Sequence, residues 1–178
     1  MNTATTNQFT ARLENLVDWT GRGIAWLSLA MVLVMFSVVV FRFVFDLGWV
    51  WLQEIVNYLH AYIFMIGAAY TLRHDSHVRV DIFYRDMSPQ RKAWVDLLGT
   101  VFLLFPVCVF IFVSNWADVI TAWQDLEGSQ RTGGLPIAYI LKSTLLLMPV
   151  LLLLQGMAIV VNSWLRINSA PEEKTELS

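Results

Sequence analysis

Charge is what this chain has least of. Charged residues make up 15% of its 178 positions, where a water-soluble domain carries about a quarter. The net charge of -2 contains no basic excess, and no Lys/Arg patch is interleaved with aromatics for base stacking, which argues against a nucleic-acid partner. A single cysteine, Cys108, excludes an intrachain disulfide and a thiolate metal site. It lies in an apolar run and reads as a packing residue. Neither a P-loop, nor a His-Glu-x-x-His pair, nor a Gly-rich phosphate cradle is present, so nothing points to an enzyme or to a bound cofactor.

What is there is apolar. Hydrophobic residues reach 57% and mean hydropathy is +0.57. Four charge-free runs stand out: Ile24 to Phe41, Ile55 to Leu72, Leu97 to Ala117 and Ser143 to Leu165. Each meets the roughly 18-residue requirement for crossing a hydrocarbon core ~30 Å thick. The expected fold is therefore all-α and integral to the membrane, one domain with spans near 24–45, 49–72, 95–120 and 137–163. The first run is long and lacks a small-residue cleavage site after it, so it reads as a retained span and not as a removed signal peptide.

The twelve cations sort by loop. Arg12, Arg22, Arg73, Arg79, Arg85, Arg91, Lys92, Arg166 and Lys174 fall on one side, against Arg42, Arg131 and Lys142 on the other. The positive-inside tendency then places both termini in the cytoplasm. Tryptophans form two belts, Trp19, Trp26, Trp94 and Trp164 at the inner boundary and Trp49, Trp51, Trp116 and Trp123 at the outer one. Apolar residues at helical spacing predict short interfacial helices near 8–20 and 77–87, and residues 168–178 read as a disordered tail. Ser88 followed by Pro89 is an N-cap with proline at the first helical position, opening span three. Pro106 and Pro149 remove the backbone bonds to the carbonyls of Phe102 and Leu145, so local distortions are expected there.

An ionisable group in lipid costs several kcal/mol unless paired or interfacial, so each one has a candidate role. Arg42 and Glu54 flank the turn at Asp46-Leu47-Gly48 and lie roughly 7 and 10 Å from its centre, at similar depth on antiparallel neighbours. Glu54 is open to three readings: a structural pair with Arg42 or with a partner subunit, a proton or cation ligand, or an interfacial solvated group. His77 and Asp81 form an i, i+4 pair on the cytoplasmic side, a surface contact or subunit interface. His60 alone of the three histidines falls inside a span, which is too few for a bis-histidine haem anchor. Asn57, Asn115, Gln155 and Asn162 are suited to interhelical hydrogen bonds. Lys142 can snorkel outward or pair with Asp118 or Asp125.

Four stretches in order carry a likeness: Trp51-Leu-Gln-Glu54, Gly67-Ala-Ala69, Arg73-His-Asp-Ser-His77-Val-Arg-Val-Asp81 and Gly133-Gly-Leu-Pro136. Through them the chain, over roughly residues 20 to 165, resembles the small membrane subunit (DctQ type) of tripartite ATP-independent periplasmic (TRAP) transporters. It departs at Gln53, where that family often shows a second carboxylate. The resemblance implies a scaffold in the bacterial inner membrane. Its partners would be a large polytopic subunit that holds the substrate and sodium sites, and a periplasmic solute-binding protein that delivers a solute, usually an organic acid. Arg131, Gly133, Gly134, Pro136 and Lys142 on the outer side are then candidates for touching that binding protein. The competing readings are a haem anchor and an autonomous four-helix transporter using Glu54.

Overall fold

The computed structural model describes residues 3–73 and 87–169, with side chains from residue 19 onward except those of residues 20, 22 and 169. Every described element is helical: α1 (Thr3–Val44), α2 (Val50–Arg73), α3 (Pro89–Gly99), a π-helical turn (Thr100–Leu104), α4 (Phe105–Gln124) and α5 (Ala138–Ser169). Helices α3 and α4 join end to end through the π turn, so span three covers Pro89–Gln124. Together with Gly23–Val44, Val50–Arg73 and Ala138–Asn168 this gives four helices long and apolar enough to cross a membrane. The expected four-span, all-helical class is what the structure shows.

Local chemistry accounts for the boundaries. Ser88 caps α3, its hydroxyl accepting from the Arg91 amide at 3.4 Å, with Pro89 following as expected. Arg42, Arg73 and Arg166 stand in the last turns of α1, α2 and α5, where a cation meets the negative end of the helix. Pro106 cannot donate to Phe102, and the ladder shifts to i→i−5 just before it. The Phe105 amide donates to the Thr100 carbonyl. The distortion expected at Pro106 is thus a π turn.

One expectation about α1 changes. No separate interfacial helix sits over 8–20: α1 runs unbroken for 42 residues, about 63 Å and twice the hydrocarbon thickness. The junction Thr20-Gly21-Arg22-Gly23 contains no proline, and two glycines weaken a helix without ending it. Gly21 serves packing instead, since a Cβ there would lie 2.0 Å from the Tyr70 ring on α2. The second interfacial helix, over 77–87, falls almost wholly outside the described residues. So do His74, His77, Asp81 and residues 170–178 of the tail expected over 168–178, whose first two residues instead close α5.

Helix α5 is the centre of the arrangement. It packs against α1, α2, α3, the π turn and α4, while α1 makes no substantial contact with α4. Small residues dominate the interior: Ala69, Ala93, Cys108, Ala122 and Ala158 are buried beside the larger Val119 and Leu151, and the largest fully buried side chains are Thr144, Pro149 and Cys108. Lipid is as apolar as leucine, so helices associate through close backbone approach and leave bulk outside. All eight tryptophans are exposed. In span one no residue of the apolar window is buried, against more than a third in α5.

Hydroxyls inside the spans satisfy themselves on their own helix, as Ser28 does on the Ile24 carbonyl, Thr71 on Ala68 and Thr100 on Asp96. Asn115 does the same, donating to the Ile111 carbonyl at 2.8 Å and not to another helix. The interhelical bonds come from other residues. Tyr62 donates to the Ile140 carbonyl at 3.0 Å, Trp123 to the Ser143 hydroxyl at 2.8 Å, and the Thr144 hydroxyl approaches the Met65 sulfur at 3.0 Å.

Candidate functional site

The polar chemistry gathers at the end of the bundle that carries the two short connections, α1 to α2 and α4 to α5. The α4–α5 connection is a folded loop. Helix α4 ends at Gln124, Asp125 is its C-cap, and Leu126 takes a left-handed φ of 46°. That lets the Glu127 amide reach back to the Ala122 carbonyl at 2.9 Å, the long bond of a Schellman ending. Arg131 to Gly134 form a turn closed by the Gly134 amide on the Arg131 carbonyl at 3.0 Å. Gly133 supplies the φ of 78° that the turn needs. The Ser129 amide bonds the Leu135 carbonyl at 2.8 Å and the Tyr139 amide bonds the Glu127 carbonyl at 3.1 Å, tying the loop to the start of α5.

Glu54 holds this loop to α2. Its side chain is buried, 5% exposed. One carboxylate oxygen accepts from the Ser129 hydroxyl, and the other accepts from the Leu135 amide at 2.7 Å. Gly134 passes so close that a Cβ there would stand 2.7 Å from Glu54 Oε2 and 2.5 Å from Ser129 Oγ. Residues 54 and 129–135 therefore meet across 75 or more positions of sequence. An Arg42–Glu54 ion pair is not made. Successive residues on a helix point ~100° apart. Gln53 faces a hollow shared with Arg42, Asp46, Gly48 and Trp49, while Glu54 faces the loop.

A second bracket lies beside the first. The Lys142 ammonium meets the Glu127 carboxylate at 2.7 Å and that of Asp118 at 3.2 Å, joining α4, the loop and α5. Asp118 was an expected partner, and Glu127 takes the place expected for Asp125. Trp123 and Tyr139 stack edge to face over this junction, centroids 4.8 Å apart. With both carboxylates reachable by water, the bracket is worth little. Lys142→Met should lower the thermal midpoint by about 3 °C, the shift that ~1 kcal/mol produces in a chain of this size. A melting curve of the detergent-solubilised variant measures it.

Among the candidates for contact with a binding protein, Arg131, Gly133 and Pro136 are exposed on the loop, Gly134 is half-buried against Glu54, and Lys142 is committed to its two carboxylates. Sequence reasoning missed Ser129 and the Leu135 amide as the partners of Glu54. The available signal was a turn-rich loop, whose backbone amides lack helix partners and need an acceptor. His60 is exposed on α2, and no group of three His, Cys, Asp or Glu that could hold a metal occurs among the described residues.

A four-span helical membrane protein with small-residue packing and a hydrogen-bonded loop clamp is the class that fold and site define. Residues 31–166 match the family described as tripartite ATP-independent periplasmic transporters, DctQ component. That is most of the chain, and the chain belongs to this family: it is a TRAP transporter small membrane subunit. The family is one of transporter components, which work in TRAP systems with a large membrane subunit and a binding protein. Comparisons with curated proteins and with solved structures found no match.

Proposed function

We propose that the chain is the scaffold subunit of a sodium-coupled TRAP importer in the bacterial inner membrane. Both termini face the cytoplasm, and the importer takes up a solute, an organic acid, handed over by a periplasmic binding protein. The match to the DctQ component over residues 31–166 carries the reading. Two features of the chain support it. No residue of span one's apolar window is buried, and Leu29, Val32, Leu33, Met35 and Phe36 stand exposed on it, a surface suited to the large membrane subunit. The loop held by Glu54 presents a rigid rather than a floppy surface at the end assigned here to the periplasm, which suits repeated docking of a soluble partner. The orientation rests on the nine-to-three distribution of cations.

The test is uptake into vesicles that contain the large subunit, with binding protein and labelled solute outside. Sodium-driven uptake should require this chain; full uptake without it would overturn the scaffold role. Within the same assay the loop has a sharper prediction. Arg131 is exposed and close enough to Glu54 to act on it electrostatically, and reversal of a rim charge acts mainly on encounter rate. Arg131→Glu should cut uptake at low binding-protein concentration by about tenfold and recover at saturation, with complex yield unchanged. Unaltered uptake would remove this loop from the docking surface.

A further inference from the structure

The hollow at the α1–α2 turn has no role in the reading above. It measures about 290 Å³ and is lined by Arg42, Asp46, Leu47, Gly48, Trp49, Val50 and Gln53. Two opposite charges face it, and neither the Arg42 guanidinium nor the Asp46 carboxylate makes a hydrogen bond or ion pair with another described residue. Trp49 in its wall belongs to a run of exposed aromatics in mutual contact. Phe41 packs on Trp49 edge to face at 5.3 Å and on Phe45 at 6.1 Å, and Trp49 lies 6.2 Å from Trp51. Such a run marks the depth of the lipid head groups.

Two charges of opposite sign at that depth, neither with a partner among the described residues, are complementary to a zwitterion and not to a simple anion. We infer that the hollow binds the head group of a zwitterionic phospholipid. Its phosphate accepts from Arg42, its ammonium is held by Asp46 and the Trp49 ring, and its acyl chains run down the apolar face of α1. The guanidinium suits phosphate because its fork of donors matches the oxygens. The ammonium suits the other wall because a carboxylate and an indole face both attract a cation. An anionic phospholipid of the same chain length would satisfy Arg42 but would bring an uncharged polar end to Asp46. The arrangement therefore selects phosphatidylethanolamine over phosphatidylglycerol. This site does not depend on the transport reading.

The test uses the full chain with its co-purifying subunits, extracted from the native membrane in mild detergent. The washed sample is offered equal amounts of the two phospholipids with matched acyl chains, and retained lipid is counted by native mass spectrometry. The wild type should keep phosphatidylethanolamine over phosphatidylglycerol by about tenfold, the ratio expected from one charge-assisted contact. Arg42→Gln should lower retention of both about tenfold. Asp46→Asn should erase the preference while raising retained phosphatidylglycerol, a gain that misfolding cannot produce. Equal retention of the two lipids by the wild type would overturn the proposal. So would an unchanged ratio in Asp46→Asn, or loss of the co-purifying subunits in Arg42→Gln, which would make the hollow a protein contact.

Discussion

Replacing Glu54 with alanine should release the α4–α5 loop from α2 and cost about 3 kcal/mol, two charge-assisted bonds at the low end of their usual worth. The loss exceeds that of the acceptor alone. The Ser129 hydroxyl and the Leu135 amide would be left facing the space that Gly134 keeps narrow, and an orphaned donor there adds its own desolvation cost. Glu54→Gln is the informative control. Its carbonyl oxygen can serve the Leu135 amide and its own amide can donate to the Ser129 hydroxyl oxygen, so only the charge assistance is lost and less than about half of the effect should remain. A cysteine introduced at the exposed Gln130 reads the loop directly. Its labelling rate by a water-soluble maleimide should rise several-fold in Glu54→Ala, less in Glu54→Gln, and not at all in Lys142→Met. If the rate in Glu54→Ala matches the wild type, Glu54 does not hold the loop.

The second large effect lies at the other crossing of α5. Gly156 is buried where α5 meets the π turn, and a Cβ there would stand 2.7 Å from Phe105 Cε1, 2.9 Å from Leu104 Cδ2 and 3.2 Å from Thr100 Cγ2. These neighbours are held in place by the shifted ladder ahead of Pro106. Alanine asks for movements of a few tenths of an ångström to about 1 Å from side-chain ends, costing ~1 kcal/mol. Leucine must push span three away from α5, and overpacking of that order costs about 3 kcal/mol or more. Gly156→Leu should therefore lower the thermal midpoint by about 10 °C, with Gly156→Ala in between. A midpoint unchanged in Gly156→Leu would mean that α5 and span three do not cross this closely.

The spans were legible because lipid imposes a length and a charge filter that any sequence displays. The start of span three was legible for a similar reason, since Ser88-Pro89 is a local signal whose partner is three residues away. What faces what was not. Depth alone put Arg42 opposite Glu54, but depth says nothing of the ~100° between Gln53 and Glu54 around α2. The true partners of Glu54 are a hydroxyl and a main-chain amide 75 and 81 residues on, and an amide has no signature in sequence. For Lys142 the two candidates were both carboxylates near the end of α4. The choice of Glu127 over Asp125 was made by the left-handed turn at Leu126, which swings the chain back toward α5. Asn115, expected to reach another helix, found a carbonyl one turn back at no cost in reach.

The central claim is that this chain is a subunit, finished by a larger membrane partner. It is tested most directly by tagging the C-terminus, extracting native membranes in mild detergent, and identifying what comes with the chain by mass spectrometry, with a visible spectrum of the same sample. One large polytopic membrane protein should co-purify in fixed ratio, with no haem band. Recovery of the chain alone, or within a haem-bearing redox complex, would contradict the account.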